Sequence, residues 1–141
     1  IATGEAMLAT RVLGAEGAQI GTRFALTVES SASEVFKDYC LHLEEGDTKL
    51  LLKKLAPVRL VRNNFRNAVE AAEAIGASEE ELRILLGRGR AKRGIFEGDL
   101  EEGELEIGQV ASLLQGKGVQ SVAAVMQELV EEYTRSWEAL R

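Results

Sequence analysis

The chain has 141 residues, of which 45% are hydrophobic and 28% are charged, and this composition is typical of one globular domain with a core of its own. Its net charge of −6 argues against a general nucleic-acid-binding surface, and no apolar run approaches the roughly 18 residues needed to span a bilayer. The single cysteine, Cys40, cannot form an internal disulfide, which fits a reducing cytoplasm. We therefore expect a cytoplasmic protein that binds neither nucleic acid nor membrane.

The first 26 residues predict a short loop, a helix and a strand. Thr3 is a suitable N-cap, Leu8 and Val12 repeat at helical spacing, and Gly14 follows as a terminating glycine. Residues 18–26 are mostly apolar with little alternation, which is typical of a strand buried on both faces. Such strands belong to parallel sheets, in which a helix returns the chain between neighbouring strands. This part of the chain is therefore expected to hold the end of one βα unit and the start of the next.

A second helix is predicted after residue 31. Ser31 and Glu34 have the spacing of a capping box, in which each residue satisfies a free backbone N–H group of the other. Val35, Tyr39 and Leu43 fall on one helical face, which we expect to be the buried one.

Two short strands are then expected on either side of Pro57, the only proline. Ser78 and Glu81 form another capping-box pattern, and residues 87–109 contain too many glycines for one helix and predict a loop with several turns. Ser121 is a suitable N-cap for a final amphipathic helix. The strands are expected over residues 50–52 and 58–62, and helices over residues 66–75, 79–87 and 110–114. The last helix carries a continuous apolar stripe, which comprises Val122, Val125, Met126, Leu129, Val130, Tyr133 and Trp137.

These elements do not complete a fold. Only one strand of the buried type is predicted, and the chain supplies no parallel neighbour for it. Either the domain is mostly helical and the strand over residues 18–26 is wrong, or the remaining strands lie upstream. The sequence starts at Ile1, without an initial methionine, so we expect a piece of a longer chain.

Two glycine-containing segments lie one βα unit apart, Ala2-Thr3-Gly4 and Gly21-Thr22. Glycine lets the backbone approach a ligand closely, and successive N–H groups at a helix start can hold an anion without a basic side chain. In βα barrels a phosphate group often binds at the loops of the last two units. The simpler alternative is a capped helix followed by a strand with a glycine bulge.

The segments IATGEAML and LGAEGAQIGTRFALTVES resemble the end of the flavin-binding barrel in nitronate monooxygenases and flavin-dependent (type II) enoyl-acyl-carrier-protein reductases. In this family a Gly-Gly-Ile loop follows the seventh strand and Gln-x-Gly-Thr closes the eighth. The resemblance implies that Ile1 ends the first motif and that Gln19, Ile20, Gly21 and Thr22 form the second. It covers essentially the whole chain, including FKDYCLHL, PVRLVRNNF and the loop over residues 87–109, and these later segments look like the reductase branch.

The resemblance implies an α/β fold, namely the C-terminal portion of an FMN-binding (β/α)8 TIM barrel. Residues 1–44 would be the last units of the barrel, residues 45–107 a small substrate-side lobe, and residues 108–141 closing helices that pack back on the barrel. The residues implied to bind the cofactor are Ile1, Ala2, Gln19, Ile20, Gly21, Thr22 and Gln109, and the family binds the FMN phosphate largely through main-chain N–H groups.

The implied activity is hydride transfer from NADH or NADPH through FMN to an enoyl thioester carried on acyl carrier protein, in fatty acid synthesis. The family's catalytic histidine would lie upstream, in the missing part of the same barrel, and this chain alone would be inactive. The long last helix permits a homodimer. Two other functions stay open: a nitronate monooxygenase of the 2-nitropropane dioxygenase type, and a non-enzymatic helical interaction module.

Other residues that could carry chemistry favour structural roles. The only histidine, His42, lies between two leucines within a helix, and Cys40 has no second thiol near it in sequence. The acidic residues between 97 and 106 are irregularly spaced among glycines, so we expect a solvated loop and no metal site. The basic cluster Arg88, Arg90, Lys92 and Arg93 is either ordinary surface charge or a contact for a phosphate or an acidic protein.

Overall fold

The computed structural model describes all residues, 1–141, as six α-helices and one two-stranded antiparallel sheet. A π-helical turn over Lys92–Phe96 and a 3₁₀-helix over Gln109–Leu114 lie between the fifth and sixth helices. The elements are α1 (Gly4–Val12), α2 (Thr22–Ala25), α3 (Glu34–Leu41), β1 (Thr48–Leu51), β2 (Val58–Val61), α4 (Asn64–Ala74), α5 (Glu79–Leu86) and α6 (Val122–Ala139).

The first and last helices pack against each other. The Thr3 hydroxyl accepts the N–H of Ala6 and so caps α1, as predicted, and Gly14 follows the end of the helix with a φ of +98°. A Cβ atom on Gly4 would lie 2.3 Å from the Tyr133 backbone nitrogen. Gly4 therefore allows close approach of α1 to α6, and its expected role in a ligand-binding loop stays a prediction.

The strand predicted over residues 18–26 is wrong. Residues 18–21 form no regular element, and the chain enters the short helix α2 at Thr22. A strand is stable only when a neighbour satisfies its backbone groups, and no other segment of the chain pairs with residues 18–21. The apolar run of the sequence thus combines an unpaired irregular segment with a helical turn.

Helix α3 begins two residues later than the sequence pattern indicated. The Ser33 side chain, not that of Ser31, accepts the backbone N–H of Phe36. Phe36 and Cys40 of this helix pack in the hydrophobic core and are buried, whereas Val35 is exposed. Of the predicted face, Leu43 is buried and Tyr39 packs half-buried against the core, so the expectation is wrong only for Val35.

The two strands around Pro57 are confirmed. Strands β1 and β2 pair antiparallel, with Thr48 opposite Val61 and Leu51 opposite Val58. Residues 105–107 run along the other edge of β2, where the Val61 N–H donates to the Leu105 carbonyl at 2.9 Å. This third segment brings the chain from the sheet back towards Gly108.

The helices predicted over residues 66–75 and 79–87 correspond to α4 and α5, and the capping box of Ser78 and Glu81 is present. The glycine-rich segment is irregular apart from one π-helical turn, as predicted. The apolar run over residues 110–114 is a 3₁₀-helix instead of an α-helix.

Ser121 caps α6, as expected. Of the apolar stripe that the sequence predicts there, only Val125 and Leu129 are buried, whereas Met126, Val130 and Trp137 remain about half exposed.

Two hydrophobic clusters hold the chain together. The larger one joins α3 and the segments around Leu26, Leu105 and Leu114. The smaller one lies between the sheet and helices α4 and α5, and its members are Leu51, Leu52, Leu60, Phe65, Val69, Ala77 and Leu82. The division into residues 1–44, 45–107 and 108–141 stays a prediction. Among the helices, none is both long and apolar enough to cross a membrane.

Candidate functional site

The start of α2 contacts a distant loop. The backbone N–H of Gly108 donates a hydrogen bond to the Thr22 hydroxyl oxygen at 3.0 Å. A Cβ atom on residue 108 would lie 2.2 Å from that same oxygen, so the contact requires glycine. It places Gln109, the next residue, beside the Gly21-Thr22 turn with its side chain exposed.

The backbone at this turn offers unpaired donors. The N–H groups of Gly21, Thr22 and Arg23 have no acceptor within the chain, since α2 begins here and Gly21 provides no capping side chain. A Cβ atom built on Gly21 would meet nothing within 4 Å, so the space beside the turn is open. Consecutive N–H groups that are unpaired and accessible can bind the phosphate of a cofactor such as FMN.

Arg23, the residue after the Gly-Thr pair, is buried and joins three parts of the chain. Its Nη1 donates to the Ala2 carbonyl oxygen at 2.7 Å, and its Nη2 donates to the Glu128 carboxylate. A second carboxylate, Glu132 Oε2, lies 4.0 Å from Nη1. The side chain of Arg23 is 2% exposed, so it links the first loop, the start of α2 and helix α6 from inside the structure.

The two carboxylates on α6 bind further donors. Glu132 Oε2 accepts the backbone N–H of Gly4 at 2.7 Å, where the partial positive charge of the α1 N-terminus favours an anion. Glu128 also binds Lys117 and Gln120. The Gly4 N–H at the start of α1 is thus bound by Glu132 within the protein, whereas the N–H groups of the turn at Gly21 have no such partner.

Burial and charge act against each other on Arg23. Burial lowers the pKa of its guanidinium by disfavouring the charged form, and the negative charge of Glu132 raises that pKa. The ion pairs with α6 therefore stabilise the charged side chain in its buried position.

A groove of about 440 Å³ runs from this turn to the sheet. It combines α2 residues with the edge of β2 and the segment before Gly108, and its charged members are Arg59 and Glu106. The lining residues are Thr22, Ala25, Pro57, Val58, Arg59, Glu106, Ile107 and Gly108. A ligand that contacts the turn at Thr22 would therefore extend towards the segment that we expect to face the substrate.

The structure brings together several of the residues implied to bind the cofactor. Ala2 lies near the Gly-Thr turn through its bond to Arg23, and the Thr22–Gly108 bond brings Gln109 there. The side chain of Gln19 is exposed, and the side chains of Ile1 and Ile20 are half-buried. The roles of all seven implied residues in cofactor binding stay predictions.

The basic cluster is largely occupied by internal contacts. Arg90 stacks on the Phe65 ring at 4.5 Å and donates to backbone carbonyls, including that of Glu102. Lys92 pairs with Glu97 and Arg93 with Asp99, which leaves Arg88 as the one member without such a contact. Surface charge with a structural use is therefore the better interpretation of this cluster.

The acidic loop contains one perturbed carboxyl group. Burial, together with a hydrogen bond and the charge of Glu106, raises the pKa of Glu104 to about 7. Asp99 binds the backbone N–H groups of Glu101 and Glu102, so it organises the loop.

Cys40 is fully buried, and burial raises the pKa of its thiol to about 12. At neutral pH it is a protonated, packed side chain.

The sequence reasoning missed Arg23, its partners Glu128 and Glu132, and Gly108. An arginine directly after Gly-Thr within an apolar run is a signal that could have been used, because a buried cation needs a partner. Glu128 and Glu132 lie one helical turn apart beside the buried Leu129, and this spacing indicates that the last helix supplies the partner of the cation.

A sequence profile of the nitronate monooxygenase family matches residues 1–132. The chain belongs to this family. Among curated relatives, a probable nitronate monooxygenase of Staphylococcus aureus (strain JH9) is 43% identical over 68 residues, which are 46% of this chain and 19% of the relative. That of Staphylococcus haemolyticus (strain JCSC1435) is 47% identical over 45 residues, which are 32% of this chain and 13% of the relative.

Solved structures match along the entire chain. FabK from Thermotoga maritima superposes with a TM-score of 0.89 at 32% identity, covering 100% of this chain and 44% of FabK. Nitroalkane oxidase from Streptomyces ansochromogenes superposes with a TM-score of 0.72 at 25% identity, covering 100% of this chain and 39% of that protein. The chain is thus an α/β part of the same TIM-barrel fold, and it spans less than half the length of these structures.

Proposed function

We propose that the chain is the C-terminal part of an FMN-dependent enoyl-acyl-carrier-protein reductase. The observation that carries this proposal is the turn at Gly21–Arg23, whose backbone N–H groups are unpaired and open at the position of the family's Gln-x-Gly-Thr motif. The match to FabK over the entire chain, with a higher TM-score than that to nitroalkane oxidase, supports this branch of the family.

In this proposal the chain's own residues hold and orient the cofactor. The N–H groups of Gly21, Thr22 and Arg23 bind the FMN phosphate, and the Thr22–Gly108 bond fixes the turn that presents them. FMN supplies hydride transfer when it is bound. The groove beside Thr22 receives the substrate side of the site, with Arg59 and Glu106 as its charged contacts.

The remaining parts of the proposal depend on the longer protein. The upstream part of the barrel supplies the catalytic histidine, NADH or NADPH supplies the hydride, and an acyl-carrier-protein thioester is the substrate. The half-exposed Met126, Val130 and Trp137 on α6 would be covered by the rest of the barrel or by a second copy in a homodimer.

A nitronate monooxygenase is the second candidate, because the family profile and the curated relatives carry this description. It would share the barrel and the cofactor site and differ in the substrate. A non-enzymatic helical module is less well supported, because the family match covers nearly the whole chain.

Two assays on the full-length protein separate these candidates. A reductase oxidises NADH or NADPH when an enoyl thioester such as crotonyl-coenzyme A is present, and it consumes little oxygen with a nitronate. A monooxygenase consumes oxygen with propyl-2-nitronate and leaves the thioester unchanged. A protein that binds no flavin and is inactive in both assays would contradict both enzymatic candidates.

A further inference from the structure

We propose that Arg23 is a positioning residue for the cofactor phosphate, because it connects both predicted phosphate loops to helix α6. This inference rests on the proposed function, since it assigns a role in the same cofactor site. Arg23 does not itself contact the ligand in this account. It holds in place the backbone N–H groups that contact the phosphate.

The connection is direct at each end. One terminal nitrogen of the guanidinium donates to the Ala2 carbonyl at 2.7 Å, in the first loop. The other terminal nitrogen donates to Glu128 on α6. The Arg23 backbone is itself part of the turn that starts at Gly21, so one side chain fixes the relative position of all three segments.

The charges around the guanidinium make this arrangement specific for arginine. Glu128 and Glu132 lie one helical turn apart and face one buried cation, while Lys117 approaches them from the other side. A lysine at position 23 would have a single nitrogen, which cannot occupy both positions of the arginine fork. A methionine would leave the carbonyl of Ala2 without its donor and remove one of the two cations that neutralise the carboxylates.

Arg66 provides a matched comparison within the same chain. It too is buried, donates its Nη1 to a backbone carbonyl (Asp47, 2.8 Å), pairs with a carboxylate (Glu70, 3.7 Å) and has an Nε without a partner. It lies beside the small cluster between the sheet and α4 and contacts neither predicted loop. The two arginines thus make similar kinds of contact, and only Arg23 is connected to the predicted cofactor site.

The test compares FMN with riboflavin, which lacks the phosphate, in the full-length apoprotein. Dissociation constants are measured by quenching of flavin fluorescence for the parent and for Arg23→Met, Arg23→Lys and Arg66→Met. We expect both Arg23 variants to bind FMN about tenfold more weakly while riboflavin binding changes little, because the loops that present the phosphate donors lose their fixed position. Arg66→Met should lower the melting temperature and keep the parent's preference for FMN.

The outcomes separate this inference from the proposed function. A parent that prefers FMN, together with Arg23 variants that keep the same preference, overturns the positioning role and leaves the proposed function intact. A parent that binds neither flavin overturns the proposed function and this inference with it. If Arg23→Met does not fold, Arg23→Lys retains the charge and decides the question alone.

Discussion

Gly108 and Thr22 lie 86 residues apart in the chain and are joined by a hydrogen bond of 3.0 Å from the Gly108 backbone N–H to the Thr22 hydroxyl oxygen. The bond connects the start of α2 to the segment that leaves the sheet. Thr22 belongs to the predicted phosphate motif, so this hydrogen bond fixes the position of the turn. The buried side chain of Arg23 fixes the same turn through its bond to the Ala2 carbonyl.

Replacing Gly108 by alanine should disturb this contact. The new Cβ would lie 2.2 Å from the Thr22 hydroxyl oxygen, so the threonine side chain must rotate and the hydrogen bond is lost. We predict a loss of about 1–2 kcal/mol in the free energy of unfolding, measured by urea denaturation. Gly17→Ala is the control, since a Cβ there would meet nothing within 4 Å. Equal stability of the two variants would show that the Thr22 contact does not restrict residue 108.

The pKa of Glu104 predicts a dependence of stability on pH. Its pKa is raised from 4.5 to about 7 in the folded protein, first by burial and then by Glu106, so the native state binds more protons than the unfolded state between these values. Stability contributed by this group is complete below the lower value and is lost as the pH rises towards the higher one. The shift corresponds to at most about 3 kcal/mol.

Glu104→Gln removes this titration and keeps the shape of the side chain. We therefore expect the variant to be more stable than the parent at pH 8 and nearly equal to it at pH 4, measured by urea denaturation at each pH. Glu45→Gln, at an exposed position without a side-chain contact, should change neither value. If the stability of the parent rises from pH 5 to pH 8, and Glu104→Gln abolishes this rise, the raised pKa of Glu104 is contradicted.

Two serines near the start of α3 give a matched pair. The Ser33 hydroxyl accepts the Phe36 N–H at 3.2 Å, whereas Ser31 is exposed and makes no hydrogen bond through its side chain. Ser33→Ala should cost about 1 kcal/mol, and Ser31→Ala should be close to neutral in thermal unfolding. The reverse order of the two effects would mean that the helix starts where the sequence pattern first indicated.

Most features that depend on neighbouring residues could be predicted from the sequence, although the cap of α3 is Ser33 and not the predicted Ser31. The caps at Thr3, Ser78 and Ser121 are confirmed because the capping residue and the helix that it caps are adjacent in the chain. The strands around Pro57 are confirmed for the same reason, since a short connection joins them.

Features that depend on distant segments could not be predicted. A strand over residues 18–26 requires a partner that this chain does not contain, and the contacts of Arg23 with Ala2 and Glu128 join segments whose proximity only the fold determines. The Gly-Thr motif itself was recognisable through its family resemblance. Its support by Arg23 and Gly108 required the structure.

The most direct test of the account is FMN binding to a full-length protein with an aspartate at position 21. A side chain there meets open space, so Gly21→Asp should fold, while its carboxylate would lie beside the N–H groups proposed to bind the phosphate. The account predicts that Gly21→Asp binds FMN at least about a hundredfold more weakly than the parent and binds riboflavin almost unchanged, with Gly17→Asp behaving like the parent. Undiminished FMN binding by Gly21→Asp would contradict the account, because the phosphate would then lie elsewhere.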